Sequence, residues 1–308
     1  HADQGPATSS WHGLRAGAAV VDATWHVGAS AGQYASTIGP NDIRGEWDPN
    51  VASVLKRSSY GVASRLSISA IVLQDGKGDA PIALVRDDNY LAQDMLTRRV
   101  GQLLAAAHTP ISYDHILLSA LHDHSSPYYS PPAAGVWLFE DVMALRLFEY
   151  QARQMASAIE KAYAALRPAR AGATTVNFGG FQGNIAGSGV NEDGSPVGYP
   201  QQDNDHRVVV MRIDDMSSPA HPTPLATWVD YAQHGESLDE YDLISEDWMA
   251  PFMRYMTATT HTPMVFSQGS VGSAEGPYEH SYPPGEAPVI KDHGDKVYAI
   301  YGHLGYAQ

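Results

Sequence analysis

Short apolar runs that alternate with two long amphipathic stretches constrain the fold of this chain more than any other feature. Segments 89–108 and 138–167 repeat apolar residues at the spacing of one helix face, and a shorter helix is predicted near 246–259. The other apolar runs have the length and composition of strands. They lie at 14–25, 64–76, 81–88, 114–121, 172–178, 206–213, 224–232 and 263–269. Strands interleaved with helices predict an α/β fold, with a mixed β-sheet core flanked by helices.

Charge and composition exclude several partners and chemistries. The 308 residues include 34 acidic and 19 basic side chains, a net charge of −15. Because phosphate groups repel such a chain, we predict no nucleic-acid partner and no anionic membrane surface. The absence of cysteine excludes disulfides, thiolate metal sites and a cysteine nucleophile. No apolar run reaches the roughly 18 residues that span a bilayer, so no transmembrane segment is predicted.

The organisation of the chain is predicted to be simple. We find no internal repeat and no long linker, so residues 1–308 are predicted to form a single domain. The chain opens with His1-Ala2-Asp3 and has no initiator methionine, which is typical of a terminus processed by removal of a signal peptide. We therefore predict a secreted or periplasmic protein; trimming for expression is the alternative explanation.

The stretch "LSALHDHSSPYY", residues 118–129, carries the strongest functional signal. Its apolar run feeds directly into His122 and His124, which are one residue apart. Alternate residues of a strand point to the same side, so both imidazoles are predicted to face one pocket. Imidazole is a common zinc ligand. A pair of hydrogen-bonded surface histidines is the alternative.

Two further strand ends show a similar pattern. In "WVDYAQHGES" (228–237), His234 follows a β-type run and precedes a glycine turn, which is the position of a second metal ligand. A structural histidine is the alternative. The stretch "MVFSQGSVGSAEGP" (264–277) opens into small residues, and Gly272 is one of three glycines that allow the backbone to approach a ligand. An ordinary loop is the alternative there. No G-x-S-x-G elbow is present, which argues against a Ser-His-Asp hydrolase.

Taken in order, these segments resemble the neutral/alkaline, non-lysosomal ceramidase family over nearly the whole chain. The segment "ILLSALHDHSSP" resembles the family signature L-S-x-T-H-T-H-S-G-P, and "DYAQHGES" resembles N-Y-A-x-H-G-T-S. The segment "VFSQGSVGSAEGP" resembles F-x-Q-x-x-x-G-D-x-S-P. Two earlier segments, "LRAGAAVVDATWHVG" and "RLSISAIVLQDGKGDAPIALVRDD", resemble the opening strands of the catalytic domain. The ordered set is more specific than any one of its members.

The resemblance implies a zinc-dependent amidase and assigns roles to individual residues. His122 and His234 match the zinc-ligating histidines of the family. His124 matches the histidine placed beside the metal to assist catalysis. Glu275 stands where the family has serine and is a second catalytic candidate. Four residues are expected to orient these groups or to contact substrate: Asp123, Ser126, Gly272 and Ser273.

Departures from the family pattern fall at substrate-facing positions. Leu121 and Asp123 replace the two threonines of the signature, and Ser126 replaces its glycine. Ile185 stands at the position of an arginine that faces the family's active site. These changes indicate a divergent member whose substrate need not be ceramide.

The resemblance also implies that the metal site needs more than this chain. The family completes its zinc site with a Glu and a Tyr that lie beyond the last matched motif. Because catalytic zinc usually has three protein ligands, we predict that a further C-terminal segment or a second chain supplies them.

The resulting prediction is a zinc-dependent hydrolase that cleaves an amide (N-acyl) bond with a metal-activated water. Its substrate would be a ceramide-like lipid or another N-acyl compound. Two alternatives remain at this point. One is an amidase or esterase of a water-soluble, non-lipid substrate. The other is a non-catalytic binding subunit that kept the fold.

Overall fold

The apolar runs form strands and the amphipathic stretches form helices. The computed structural model describes residues 11–29, 59, 61–127, 145–178, 183–184, 205–235, 243–271 and 274–275, and every structural statement concerns these residues. The long strands are β1 (Arg15–Asp22), β3 (Ser67–Gln74), β4 (Ile82–Asp87), β5 (Ile116–Ala120), β6 (Arg167–Asn177), β8 (Arg207–Asp215), β9 (Thr223–Tyr231) and β11 (Met264–Gln268). The short strands are β2 (Gly61–Val62), β7 (Gly183–Asn184), β10 (Leu243–Ile244) and β12 (Ala274–Glu275). The helices are α1 (Asp94–Ala106), α2 (Leu145–Ala164) and α3 (Met249–Thr260).

The eight long strands form one mixed sheet in the order β11-β9-β8-β6-β1-β3-β4-β5. The pairs β4–β5 and β9–β11 are parallel, and the other neighbours are antiparallel. The two edge strands of this order approach each other, because the Ser267 hydroxyl donates to the Ser119 hydroxyl at 3.2 Å. The ends of β5, β9 and β11 are therefore neighbours in space. The predicted α/β fold with a mixed sheet is confirmed.

Helices cover the sheet where its strands present apolar side chains. Helix α2 packs on β1, β3 and β4, and helix α1 packs on α2 and β5; residues such as Val100, Ile159 and Val85 are fully buried in the shared core. Removing each such side chain from water contributes about 1.5–3 kcal/mol. Gly17 is required at this contact, because a side chain there would collide with the carbonyl oxygen of Ala162. Helix α3 packs separately on β9 and β11 through Met253 and Phe266.

The predicted ends of two elements differ from the structure. The second amphipathic helix was expected to continue to residue 167, but Arg167 and Pro168 already belong to β6 and pair with Ala16 and Arg15 of β1. Pairing with the sheet thus begins five residues before the predicted strand. The first amphipathic stretch predicts a helix from residue 89, but α1 begins at Asp94. The Asn89 amide instead donates to Gln151 of α2 at 3.3 Å.

Candidate metal centre

Three buried or partly buried imidazoles meet where β5 and β9 end. His122 and His124 follow β5, and His234 follows β9. One nitrogen from each ring can be chosen so that all three lie within 4.8 Å of one another. The Nε2 atoms of His122 and His124 are 3.3 Å apart. Within the described residues, this is the group of His, Asp and Glu side chains that converges tightly enough to hold a metal ion.

The loops that carry these histidines run side by side. We name residues 121–124 the His122 loop and residues 232–235 the His234 loop. A parallel β-bridge joins Asp123 to Gly235, and the backbone N–H of His124 donates to the carbonyl of Gly235 at 3.0 Å. A side chain at Gly235 would press on Met249 and on the Asp123 backbone, so glycine permits this close approach. The bridge therefore keeps the two loops adjacent.

His122 reaches the cluster through a turn rather than through strand alternation. Strand β5 ends at Ala120, and His122 has φ of 59°, in the left-handed region that side chains rarely adopt. The expectation that alternation along a strand aims both imidazoles is thus wrong. The backbone N–H of His122 donates to the carbonyl of Asn89 at 3.0 Å, which holds the turn. Backbone strain of this kind costs about 1–3 kcal/mol and persists where the surroundings impose it.

Hydrogen bonds to backbone carbonyls orient two of the rings and assign their tautomers. Nδ1 of His122 lies 2.9 Å from the carbonyl oxygen of Tyr90, and the two rings stack with centroids 4.8 Å apart. Nδ1 of His234 lies 3.2 Å from the carbonyl oxygen of Ala274. A carbonyl oxygen can only accept, so each Nδ1 carries the hydrogen and each Nε2 keeps its lone pair. This is the arrangement of metal-ligating histidines.

The electrostatic environment keeps two of the rings uncharged. Burial, helped by the nearby His234 and opposed by the hydrogen bond with the Tyr90 carbonyl, lowers the pKa of His122 to about 4. Burial lowers the pKa of His124 to about 2, with added contributions from His122 and His234. Neutral imidazole is the form that binds a metal, so these rings need no deprotonation near pH 7.

Asp123 lies between the two histidines in sequence but not among their rings. Its carboxylate is fully buried, and its oxygens have no hydrogen-bond partner of normal geometry among the described residues. Burial raises its pKa well above the ordinary value, Asp88 and Asp247 raise it further, and Ser126 offsets part of the rise. The expectation that Asp123 orients an imidazole stays a prediction.

A pocket of about 460 Å³ opens beside His122. Its lining is mainly apolar and includes several polar groups. The apolar part comes from Leu84, Leu91, Leu117, Trp228 and Val271, and the polar part from Tyr90, Ser119, Ser267 and Gln268. This is the composition of a site that takes an apolar group and orients a polar one.

Some predicted site residues are placed only in part. The backbone of Glu275 pairs with Gly183 in a short antiparallel ladder, while its side chain lies outside the described residues. Gly272, Ser273 and Ile185 also lie outside them. The roles predicted for Glu275, Gly272 and Ser273 therefore stay predictions.

Sequence reasoning did not find Tyr90, Trp248 or Gln268. Tyr90 stacks on His122, and the indole N–H of Trp248 donates to the His234 carbonyl at 2.7 Å. Gln268 contacts the backbone of both loops. Tyr90 lies shortly after β4, Trp248 directly precedes α3, and Gln268 ends β11. This position next to an element was the only signal that the sequence offered for them. Their contacts depend on tertiary packing, which no local pattern shows.

Two solved structures of ceramidases share this fold. The neutral ceramidase from Pseudomonas aeruginosa matches with a TM-score of 0.68 at 15% sequence identity, over 96% of this chain and 43% of that chain. A ceramidase complexed with C2 matches with a TM-score of 0.67 at 17% identity, with the same shares of 96% and 43%. The fold is therefore ceramidase-like, as the sequence resemblance predicted, and this chain spans less than half the length of those proteins.

The other comparisons add no relative. No protein-family model matches the sequence, and no curated protein sequence matches it. Within the described residues, no helix combines the length and the apolar character needed to cross a membrane.

The expectation of metal ligands from a further segment has no support in the structure. His124, which the resemblance assigned to catalysis alone, lies in the same cluster as His122 and His234. Three imidazoles are the number of protein ligands that catalytic zinc commonly has. The described part of the chain thus offers three imidazole nitrogens that could hold a metal ion.

The buried carboxyl of Asp87, at the end of β4, makes stability depend on pH. Burial and the neighbouring Asp88 raise the pKa of Asp87 to about 7. The folded state then holds a proton that the unfolded state has lost between roughly pH 4 and pH 7, so stability falls as pH rises through this range. The loss amounts to about 4 kcal/mol.

We expect Asp87→Asn to remove most of this dependence and to raise the free energy of unfolding near pH 8. Urea denaturation at about pH 5 and pH 8 would measure it. Asp214→Asn is the matched control, because hydrogen bonds from Arg212 and Arg170 outweigh burial and lower the pKa of Asp214. That variant should lose stability near neutral pH. Equal pH dependence in the parent and Asp87→Asn would contradict the expectation.

Proposed function

We propose that this chain is a zinc-dependent hydrolase that cleaves the amide bond of an N-acyl substrate. One observation carries the proposal: in a ceramidase-like fold, three imidazoles converge, and one of them, His122, lines a mainly apolar pocket. A ceramide-like lipid is the first substrate to test, and other N-acyl compounds come next.

The residues present fit a zinc ion. We propose that Nε2 of His122 and His234 binds the ion together with an imidazole nitrogen of His124. Zinc–nitrogen distances of about 2.0–2.1 Å in a tetrahedral site imply ligand nitrogens roughly 3.3–3.4 Å apart. The 3.3 Å between the Nε2 atoms of His122 and His124 agrees with this spacing, while the set of three nitrogens spans up to 4.8 Å. A bound zinc ion polarises the substrate carbonyl and lowers the pKa of a water molecule to about 7.

The side chains of this chain supply the binding and the orientation. The apolar lining excludes water and holds the acyl group, while Tyr90 and the carbonyl of Ala274 keep the two ligand rings in their tautomers. With His124 proposed as a ligand, Glu275, the second catalytic candidate, is proposed as the acid/base group. We also propose the secreted or periplasmic location that the sequence indicates.

A chain-length series tests the substrate class. Metal-loaded protein should hydrolyse N-acyl amides, and kcat/KM should rise about 3- to 4-fold for each buried CH₂ until the pocket is filled. Leu117→Glu puts a charge on the pocket wall and should flatten this dependence. Val176→Glu is the matched control, because Val176 is similarly exposed on a different strand. The rate of amine release from acetyl to palmitoyl amides, measured for the parent and both variants, gives the dependence on chain length.

The outcomes separate the remaining functions. Hydrolysis of short amides or esters without a chain-length dependence would indicate a water-soluble substrate. Absence of hydrolysis from every amide and ester by metal-loaded protein would contradict the proposal and favour a binding subunit.

A further inference from the structure

We infer that Gln268 is a positioning residue, whose carboxamide holds the His122 loop and the His234 loop at the separation that metal binding requires. The hydrogen bonds of Gln268 are seen in the structure, and their consequence for metal binding rests on the proposed function. Gln268 ends β11, beside the end of its parallel neighbour β9 and close to the end of β5.

The carboxamide uses all three of its hydrogen-bonding groups on the two loops. Its Oε1 accepts the backbone N–H of Gln233 at 2.8 Å. Its Nε2 donates to the carbonyl of Gln233 at 2.7 Å and to the carbonyl of Leu121 at 2.9 Å. Gln233 and Leu121 immediately precede His234 and His122. One side chain therefore connects the residues that lead into two of the three imidazoles.

The orientation of this amide is fixed by its partners. If oxygen and nitrogen were exchanged, the NH₂ group would face an N–H donor and the oxygen would face two carbonyls. Only the observed orientation pairs every donor with an acceptor. A glutamate would keep the acceptor but lose both donors, and its negative charge would face two carbonyl oxygens.

The position of the loops depends on this amide because its partners are backbone groups of buried residues. Leu121 and Gln233 are both fully buried, and leaving their backbone groups unpaired carries a desolvation cost that favours a shift of the loops. The Asp123–Gly235 bridge and the bond from His124 to Gly235 keep the loops adjacent without Gln268. Loss of the amide should thus shift the loops rather than separate them. Metal sites tolerate ligand displacements of only about 0.2 Å, so a small shift weakens binding.

Zinc affinity tests the inference in the intact chain. Gln268→Met keeps the side-chain length and removes all three hydrogen bonds, and Gln268→Glu removes the two donors. Competition with a chromophoric chelator should show zinc binding about 10- to 100-fold weaker in both variants. Gln154→Met is the control, because the Gln154 amide donates to the carbonyl of Asp22, away from the site. Its affinity should equal that of the parent.

A readout without metal separates this inference from the proposed function. In the metal-free chain, nitrogen-15 signals of the His122 and His234 rings should move in Gln268→Met and stay unchanged in Gln154→Met. Parental zinc affinity and parental ring signals in a folded Gln268→Met variant would overturn the inference. Loss of folding in both Gln268 variants would also overturn it, in favour of a purely structural role. If the parent binds no zinc, the proposed metal centre fails, and the ring signals still decide the role of Gln268.

Discussion

His122→Ala should lose both zinc and hydrolytic activity. This ring has its Nδ1 held by the Tyr90 carbonyl, and its Nε2 is 3.3 Å from Nε2 of His124. Loss of a group that merely orients a ligand weakens metal binding about 10- to 100-fold, and loss of the ligand itself should exceed this. Metal content after dialysis and amine release from an N-acyl substrate measure the two effects.

His221→Ala is the control for this variant. His221 is exposed and lies in the turn between β8 and β9, where its backbone N–H donates to the Ser218 carbonyl at 2.9 Å. It should keep parental zinc content and activity. A folded His122→Ala protein with parental zinc content would show that His122 is not a ligand.

His124→Ala should also lose zinc, which separates the proposed coordination from the role that the sequence resemblance assigns. If His124 served only as an acid/base group, its removal would cost about 10²- to 10⁴-fold in rate and leave the metal in place. If it is the third ligand, zinc binding and activity fall together. The 3.3 Å between Nε2 of His122 and Nε2 of His124 is the observation that favours the second outcome.

The measurement is zinc content of His122→Ala and His124→Ala, prepared in parallel. Similar losses in the two proteins support three imidazole ligands. Retention of zinc by an inactive His124→Ala protein would restore the acid/base role for His124 and would leave only two ligand histidines in the proposed site.

The sheet was predictable from sequence because its signals are local. Strand β3 reads as an apolar run that ends at an Asp-Gly turn, and helices α1 and α2 carry their apolar faces at regular spacing. The first and last residues of the elements were not predictable where they depend on pairing with distant strands. Pro168 reads as a helix terminator, yet it also pairs with Arg15 in the sheet, so β6 begins earlier than its own composition indicates.

The site was predictable in its residue types but not in its geometry. Histidines placed directly after apolar strands identified His122, His124 and His234. The sequence did not show that His122 adopts a left-handed turn, because the Asn89 carbonyl that holds it lies 33 residues earlier in the chain. The role of Gln268 was not predictable either, because its hydrogen-bond partners lie 35 and 147 residues away in the sequence. Contacts over such separations depend on the folded sheet.

The central claim is that the three imidazoles form a metal centre, and the most direct test is elemental analysis of purified, catalytically active protein. About one zinc ion per chain is predicted from the ligand set of His122, His124 and His234. Removal of zinc with a chelator should abolish hydrolysis, and added zinc should restore it. Active protein that contains no transition metal would contradict the account.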